Sequence, residues 1–277
     1  MEALAAPGVA FGRKLWNLHP TPPPDSAMTK TDPALAQALE ACATAPDAPR
    51  IQPLDHAGRR YWVKRVEVLP LRWRLQKGNP ARGFQRERAA LHKLAALGAP
   101  VPPVIAEGPD WFALPDCGET LESILATQDH PARPDAFAAA GAALAGLHGL
   151  GIAHGRPHPR DLCWDGARIW FLDFERGGRT GAKPRHRAFD VMQFVLALYS
   201  LTLAEAPEVE AFCAAYRAAD ISGGWDAATR WCRRLRWLDP LTRPIQRHER
   251  DHKQYRRYKE WQALPLTLAR FGATASK

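Results

Sequence analysis

Strand-forming and helix-forming segments are segregated along this 277-residue chain, and that segregation limits the folds open to it. In the first half, Tyr61 to Leu69 (YWVKRVEVL) alternates and is rich in β-formers, which predicts a strand, with Gly58 marking a turn before it. Val104–Ile105 and Trp111–Leu114 predict two short strands around a turn at Gly108–Asp110. Arg86 to Leu97 (RERAALHKLAAL) reads as an amphipathic helix on Leu91, Leu94 and Leu97. It is ended by Gly98 and by Pro100, Pro102 and Pro103. After a break near Pro115–Thr120 the helical signals dominate: alanine-rich Phe137–Leu150, apolar Phe189–Leu203, and an arginine- and tryptophan-rich C-terminal third. Strands followed by helices predict an α+β fold, with a small antiparallel-sheet lobe over 51–115 joined to a helical lobe over 116–277. Residues 1–50, punctuated by Pro20, Pro22, Pro23 and Pro24, read as an N-terminal arm or appended element.

Composition narrows the classes. Hydrophobic residues at 46% and charged residues at 24% allow a sizeable core and argue against disorder. A net charge of +9 implies anionic partners: a nucleotide, a phosphorylated substrate, nucleic acid or an anionic membrane surface. The charge is mostly arginine, whose fork suits phosphate. Five cysteines without a C-x-x-C pair argue against a zinc site or disulfide framework and predict reduced thiols in a cytoplasm. The N-terminus carries no charged n-region followed by a continuous apolar h-region, so no secretory signal is expected, and no apolar run reaches membrane-spanning length.

Four features that bear chemistry then occur in one order. Lys64 lies on the first predicted strand, and Glu87 on the helix after it. A loop reads HGRPHPRDL from His154 to Leu162, and Asp173 ends the apolar run IWFLDF. Phosphoryl transfer needs these types: a cation for the α/β-phosphates, a carboxylate to hold that cation, and acidic or amide ligands for Mg²⁺. Asp161 and Asp173 are joined by a hairpin with its turn at Asp165–Gly166, which can return both carboxylates to one metal.

On these residues, with GAPVP at Gly98–Pro102 and LHGLGIAHG at Leu147–Gly155, the chain resembles the protein-kinase-like superfamily. Within it, the resemblance is to bacterial lipopolysaccharide core kinases acting on heptose or Kdo sugars. It covers about residues 51–200. It implies ATP and Mg²⁺ as cofactors, Lys64 and Glu87 as the nucleotide-positioning pair, and Cys117 and Gly118 as the hinge that meets an adenine. It further implies Asp173 as a metal ligand and His154 as a prop for the catalytic loop. Asp190 then braces that loop from below. The partners so implied are a nucleotide, an anionic sugar or lipid-linked substrate, and peripheral contact with an inner membrane.

Three positions depart from the family. Arg156 stands where the loop aspartate is expected, Asp161 replaces the metal-binding asparagine, and Glu175 replaces the glycine after Asp173–Phe174. Aspartate keeps metal-ligand capacity. Arginine cannot accept a proton, though its fork could bind a phosphate or pair with Asp161. His158 is then a nearby candidate base. Two readings follow: a phosphotransferase with unusual loop chemistry, or a pseudokinase acting as a nucleotide-binding regulator or scaffold. Small-molecule kinases of the aminoglycoside or choline type normally keep the loop aspartate, so Arg156 counts against that third reading.

Each residue also has a plainer reading: Lys64 a solvated strand lysine, Glu87 an exposed helix carboxylate, Asp173 a turn residue, Asp161 a cap. Their shared order favours the site. The clusters Arg233–Arg236 and Arg247–Arg257 fit solvated helix faces or a basic surface facing an anionic membrane. No nucleic-acid motif accompanies them.

Overall fold

The computed structural model describes residues 32–67, 80–174, 178–251 and 259–272. Strands β1 (Ile51–His56) and β2 (Arg59–Arg65) form a hairpin whose two turn residues, Ala57 and Gly58, both have positive φ, at 48° and 73°. That is the turn whose twist matches paired antiparallel strands. With β3 (Ala106–Glu107) and β4 (Trp111–Pro115) they make an antiparallel sheet in the order β1-β2-β4-β3. Pro102 and Pro103 lack the N–H a ladder needs, and pairing begins at Ala106, past the expected Val104–Ile105.

Alternation along β2 assigns its two faces. Tyr61 and Val63 are buried against Leu35, Leu39 and Ala43 of helix α1 (Pro33–Thr44). The appended element is thus, over 33–44, a helix sealing one face of the small sheet, while residues 1–31 lie outside the described residues. Trp62 and Lys64 point the other way. Helix α2 (Pro80–Ala96) packs on that second face, with Phe84 5.0 Å from Phe112 of β4. Its buried stripe is Phe84, Glu87, Leu91 and Leu94, at spacings of three and four, and Leu97 is left 47% exposed. A carboxylate on an apolar stripe is costly unless paired, which sets up the site below.

The larger lobe begins at β5 (Glu119–Thr120) and contains helices α3 (Leu121–Ala126) and α4 (Arg133–Gly149). Strand β6 (Ile152–Ala153), a 3₁₀ turn (Pro159–Asp161), β7 (Leu162–Trp164), β8 (Ile169–Phe171) and β9 (Arg179–Thr180) follow. Strands β5, β7 and β8 form one small antiparallel sheet, and β6 pairs with β9. Helices α5 (Pro184–Thr202), α6 (Pro207–Ala219), α7 (Gly224–Leu235), α8 (Leu238–Asp251) and α9 (Lys259–Gly272) complete it.

Phe194 stacks on Phe212 at 4.4 Å in the centre of this lobe. Gly141 lets α4 come close to α6: a Cβ there would sit 2.2 Å from the Phe212 carbonyl oxygen. One continuous apolar core runs from Leu91 and Leu94 of α2 into Phe137, Phe171 and Phe194 of the larger lobe. The architecture is α+β and two-lobed, a small antiparallel sheet over a helical body, as the order of strands and helices predicts. All five cysteines are free thiols.

Candidate functional site

A cleft of about 400 Å³ lies between the lobes. Lys64 and Glu87 line it from the small lobe, and Asp161 and Asp173 from the larger one. The Lys64 ammonium donates to both Glu87 oxygens, at 2.6 and 2.5 Å, with little of either side chain exposed. Facing each other, the two charges compensate in this buried position.

The hinge between the lobes lines the same cleft. Cys117 and Gly118 follow Asp116, whose carboxylate accepts the Trp62 indole N–H at 2.7 Å. Gly118 has φ +81°, and a Cβ there would meet the Trp164 carbonyl oxygen at 2.1 Å, so the hinge lies directly on β7. Ile51, Trp62, Leu114 and Leu172 give the cleft apolar walls beside these hinge residues. Burial pushes the Cys117 thiol far up, and Cys163 up to about 12, so neither is a thiolate nucleophile at neutral pH.

Two residues beyond the end of β8, Asp173 takes a left-handed backbone at φ +60°. Aspartate tolerates this region better than most residues, and such strain collects at functional sites. The turn is held from both sides: Leu172 lines the cleft, whereas Phe174 is fully buried in the core. Glu175 lies outside the described residues.

Asp161 ends the 3₁₀ turn. Its carbonyl accepts the Leu172 N–H at 2.8 Å, which ties the loop to the segment carrying Asp173. Burial first, and the facing Asp173 second, push its carboxyl up to about 6. Arg160 opposes this, with Nε 3.4 Å from Asp161 Oδ1. Two carboxylates repelling each other in one cleft are a donor set Mg²⁺ accepts, with waters and phosphate oxygens filling the remaining positions. Among the described residues no group of three or more His, Cys, Asp or Glu side chains could hold a metal.

The histidines of the loop divide by environment. His154 is buried, and its Nε2 donates to the Leu172 carbonyl at 2.9 Å. Its ring lies 4.6 Å from Phe174, and burial depresses its basicity, so it props the Asp173 segment as a neutral imidazole. His158 caps the 3₁₀ turn: Nδ1 accepts the Arg160 N–H at 3.3 Å. Burial and then Arg160 depress its basicity. With Nδ1 accepting, a neutral ring carries its proton on Nε2, so the Nδ1 lone pair is directed at the loop backbone.

Arg156 is exposed and is not among the residues lining the cleft, where Arg160 is. The cation that pairs with Asp161 is therefore Arg160, four residues later than the arginine singled out by loop order.

Asp190, fully buried on α5, accepts the N–H groups of His154 at 2.6 Å and Gly155 at 2.9 Å. His148 Nε2 lies 3.3 Å from the same carboxylate, and its Nδ1 is 2.7 Å from the Tyr216 hydroxyl. Sequence reasoning gave His148 and Tyr216 no part. His148 stood inside the LHGLGIAHG motif, and a polar residue in an alanine-rich helix was the available signal.

No family model matches the chain. An uncharacterized protein of Haemophilus influenzae is 37% identical over 128 residues, covering 46% of this chain and 53% of that protein. The match thus spans about half of the relative's length. A solved structure of the bifunctional kinase-methyltransferase WbdD superposes with a TM-score of 0.43 at 15% identity, covering 61% of this chain and 42% of that one.

Proposed function

We propose that the cleft binds ATP with Mg²⁺ and passes the terminal phosphoryl group to a hydroxyl of a sugar or related small molecule, an anionic or lipid-linked core sugar being the favoured acceptor. The observation that carries this reading is the buried Lys64–Glu87 pair facing Asp161 and Asp173 across one cleft. Glu87 fixes the Lys64 ammonium, which neutralises the α/β-phosphates. The adenine lies between the apolar walls at Trp62 and Leu172 and meets the backbone at Asp116–Gly118. Asp161 and Asp173 hold the metal, which supplies charge neutralisation at the β- and γ-phosphates when bound.

In the transfer, the acceptor oxygen forms a bond to the γ-phosphorus as the β–γ bridging P–O bond breaks. The hydroxyl proton leaves to solvent or to a phosphate oxygen. The transfer needs no loop base in this reading: Arg156 cannot accept a proton, and His158 Nδ1 already accepts the Arg160 N–H. Positioning and charge stabilisation carry the step.

A second reading rests on that same missing base: a pseudokinase that binds nucleotide as a regulator or scaffold. One experiment separates them. ADP formation by the purified chain is followed with ATP, Mg²⁺ and phosphorylated sugar acceptors, beside thermal shifts with ATP and ADP. Turnover supports transfer. A Mg²⁺-dependent shift without turnover supports the regulator, and neither shift nor turnover removes both.

A further inference from the structure

The C-terminal helices carry a surface the cleft does not use. On α7 the exposed basic side chains are Arg230, Arg233 and Arg234, with Arg236 just beyond its end. Among the described residues no hydrogen bond or ion pair engages any of these four guanidinium groups. A helix that exposes arginines for solubility alone ordinarily intersperses carboxylates to pair them. Here Asp226 is the one exposed acid on the helix, and Asp239 is taken by Arg243 at 3.3 Å.

Apolar rings stand among these charges. Trp231 is 45% exposed, Trp237 60%, and Leu241, one turn into α8, 64%. Arg230, Arg233 and Arg234 form a stripe on α7 at spacings of three and four, with Trp237 in the turn that separates α7 from α8 and Leu241 beyond it. The opposite side of α7 is buried: Ala227, Ala228 and Cys232 face the core, so the stripe cannot turn inward. Exposing two tryptophans and a leucine side by side is unfavourable in water and signals a partner.

Two properties of that partner follow. It is negatively charged, because four exposed arginines with no ion pair among the described residues lie on this surface. It also accepts tryptophan rings part-way into an apolar layer, because Trp231 and Trp237 are exposed among those arginines. A bilayer surface of anionic lipid has both, with phosphates at the level of the guanidinium groups and the acyl boundary beneath. Tryptophan and arginine together are the side chains that settle at that boundary.

Helix α9 packs against α7 through Trp225 and Phe271, whose rings lie 4.6 Å apart. Trp261, in the first turn of α9, is 37% exposed. We propose that the α7–α8 face docks on an anionic lipid bilayer. The docking itself does not depend on turnover at the cleft.

The test is flotation of the full chain with vesicles of phosphatidylethanolamine containing phosphatidylglycerol, against vesicles of phosphatidylcholine alone. The protein is expected to float with the first and not the second, and to be released as ionic strength rises well above about 0.1 M. Arg233→Ala with Arg234→Ala should weaken partitioning about twenty-five-fold, at about fivefold per arginine, which corresponds to about 1 kcal/mol each. Trp231→Ser with Trp237→Ser should weaken it while leaving the salt response in place. All four side chains are exposed, so melting temperatures should stay at the wild-type value. Equal flotation with both vesicle types overturns the proposal, as does an unchanged double-arginine variant. Binding to single-stranded RNA, lost in that variant and without vesicle binding, assigns the face to nucleic acid and also overturns it. The ATP and Mg²⁺ thermal shift of these variants reads the cleft separately, so failure of one reading is distinguishable from failure of the other.

Discussion

Arg160 closes on Asp161, Nε to Oδ1 3.4 Å, while Asp173 faces the same carboxylate from the neighbouring segment. Asp161 thus sits between charges that favour its ionised form, Arg160 first and Arg156 after it, and one that opposes it, Asp173. Burial decides the balance, and the carboxyl rises from 3.8 to about 6. The cleft holds a carboxylate that is costly to ionise until a cation arrives.

That cost has a sign that can be measured. The unfolded chain releases the Asp161 proton near pH 4, while the folded protein keeps it to about pH 6. Between those values the folded state binds the extra proton, so this group's contribution makes stability fall as pH rises, and the full penalty stands above pH 6. Asp161→Asn removes the charge. Its melting temperature should exceed that of wild type at pH 7.5 and approach it at pH 4, both without ligand. Adding ATP with Mg²⁺ should stabilise wild type and not the variant. A gap between the two proteins that is the same at both pH values contradicts this account.

The buried pair gives a second test. Removing Lys64 leaves Glu87 without its ammonium partner in an apolar stripe, so Lys64→Met should cost about 3 kcal/mol. Lys64→Met with Glu87→Leu removes both charges and should recover most of that loss. The double variant should nevertheless show no ATP shift. Chemical denaturation of the two variants, followed by nucleotide titration, separates the pair's structural share from its binding share. A double variant less stable than Lys64→Met would show that the charges are not coupled.

The order of these residues was legible because each signal is local. Lys64 lies on an alternating strand, Glu87 on a periodic helix, and Asp173 just after an apolar run, which ends as a strand at Phe171. The predicted helix at 86–97 extends back to Pro80, where proline suits a first helical turn. Helix α1 was hidden inside a proline-rich region, because its stripe of Leu35, Leu39 and Ala43 gains meaning only against Tyr61 and Val63. The identity of the loop cation was not legible either. Residue order pointed to Arg156, but the proline at 159 begins a 3₁₀ turn that swings Arg160, not Arg156, to the cleft. The roles of His148 and Tyr216 depend on α4, α5 and α6 meeting, a long-range relation that no local pattern carries.

Asp190 makes that long-range relation testable. Its carboxylate satisfies two buried backbone N–H groups and faces His148, so Asp190→Ala strands all three. Buried donors left unpaired cost about 1–3 kcal/mol each, so a loss of about 3 kcal/mol or more is expected. Amide hydrogen exchange should accelerate at His154 and Gly155 before it does at Phe194 or Phe212, which pack without Asp190. Uniform acceleration through the lobe would mean that Asp190 supports the core as a whole and not the loop in particular.

The last prediction compares the two arginines. Arg156 is exposed, and no hydrogen bond or ion pair engages its side chain among the described residues. Arg156→Ala should therefore change stability by no more than about 0.5 kcal/mol and leave the ATP shift intact. Arg160 lines the cleft and holds down the Asp161 carboxyl, so Arg160→Ala should raise that carboxyl further and move the loss of Mg²⁺-dependent binding to higher pH. If the chain transfers phosphate, the positive charge best placed to stabilise the transferring group is also Arg160. Its removal should lower kcat by an arginine-finger factor of roughly a thousand. Arg160→Lys keeps the charge but not the fork, and should restore Asp161 ionisation better than it restores turnover. Steady-state kinetics and ATP titrations across pH, run on both alanine variants and on Arg160→Lys, check this. A large loss in Arg156→Ala beside an unaffected Arg160→Ala would return the role to Arg156. It would also require the loop to rearrange when nucleotide binds, because Arg156 does not line the cleft in this structure.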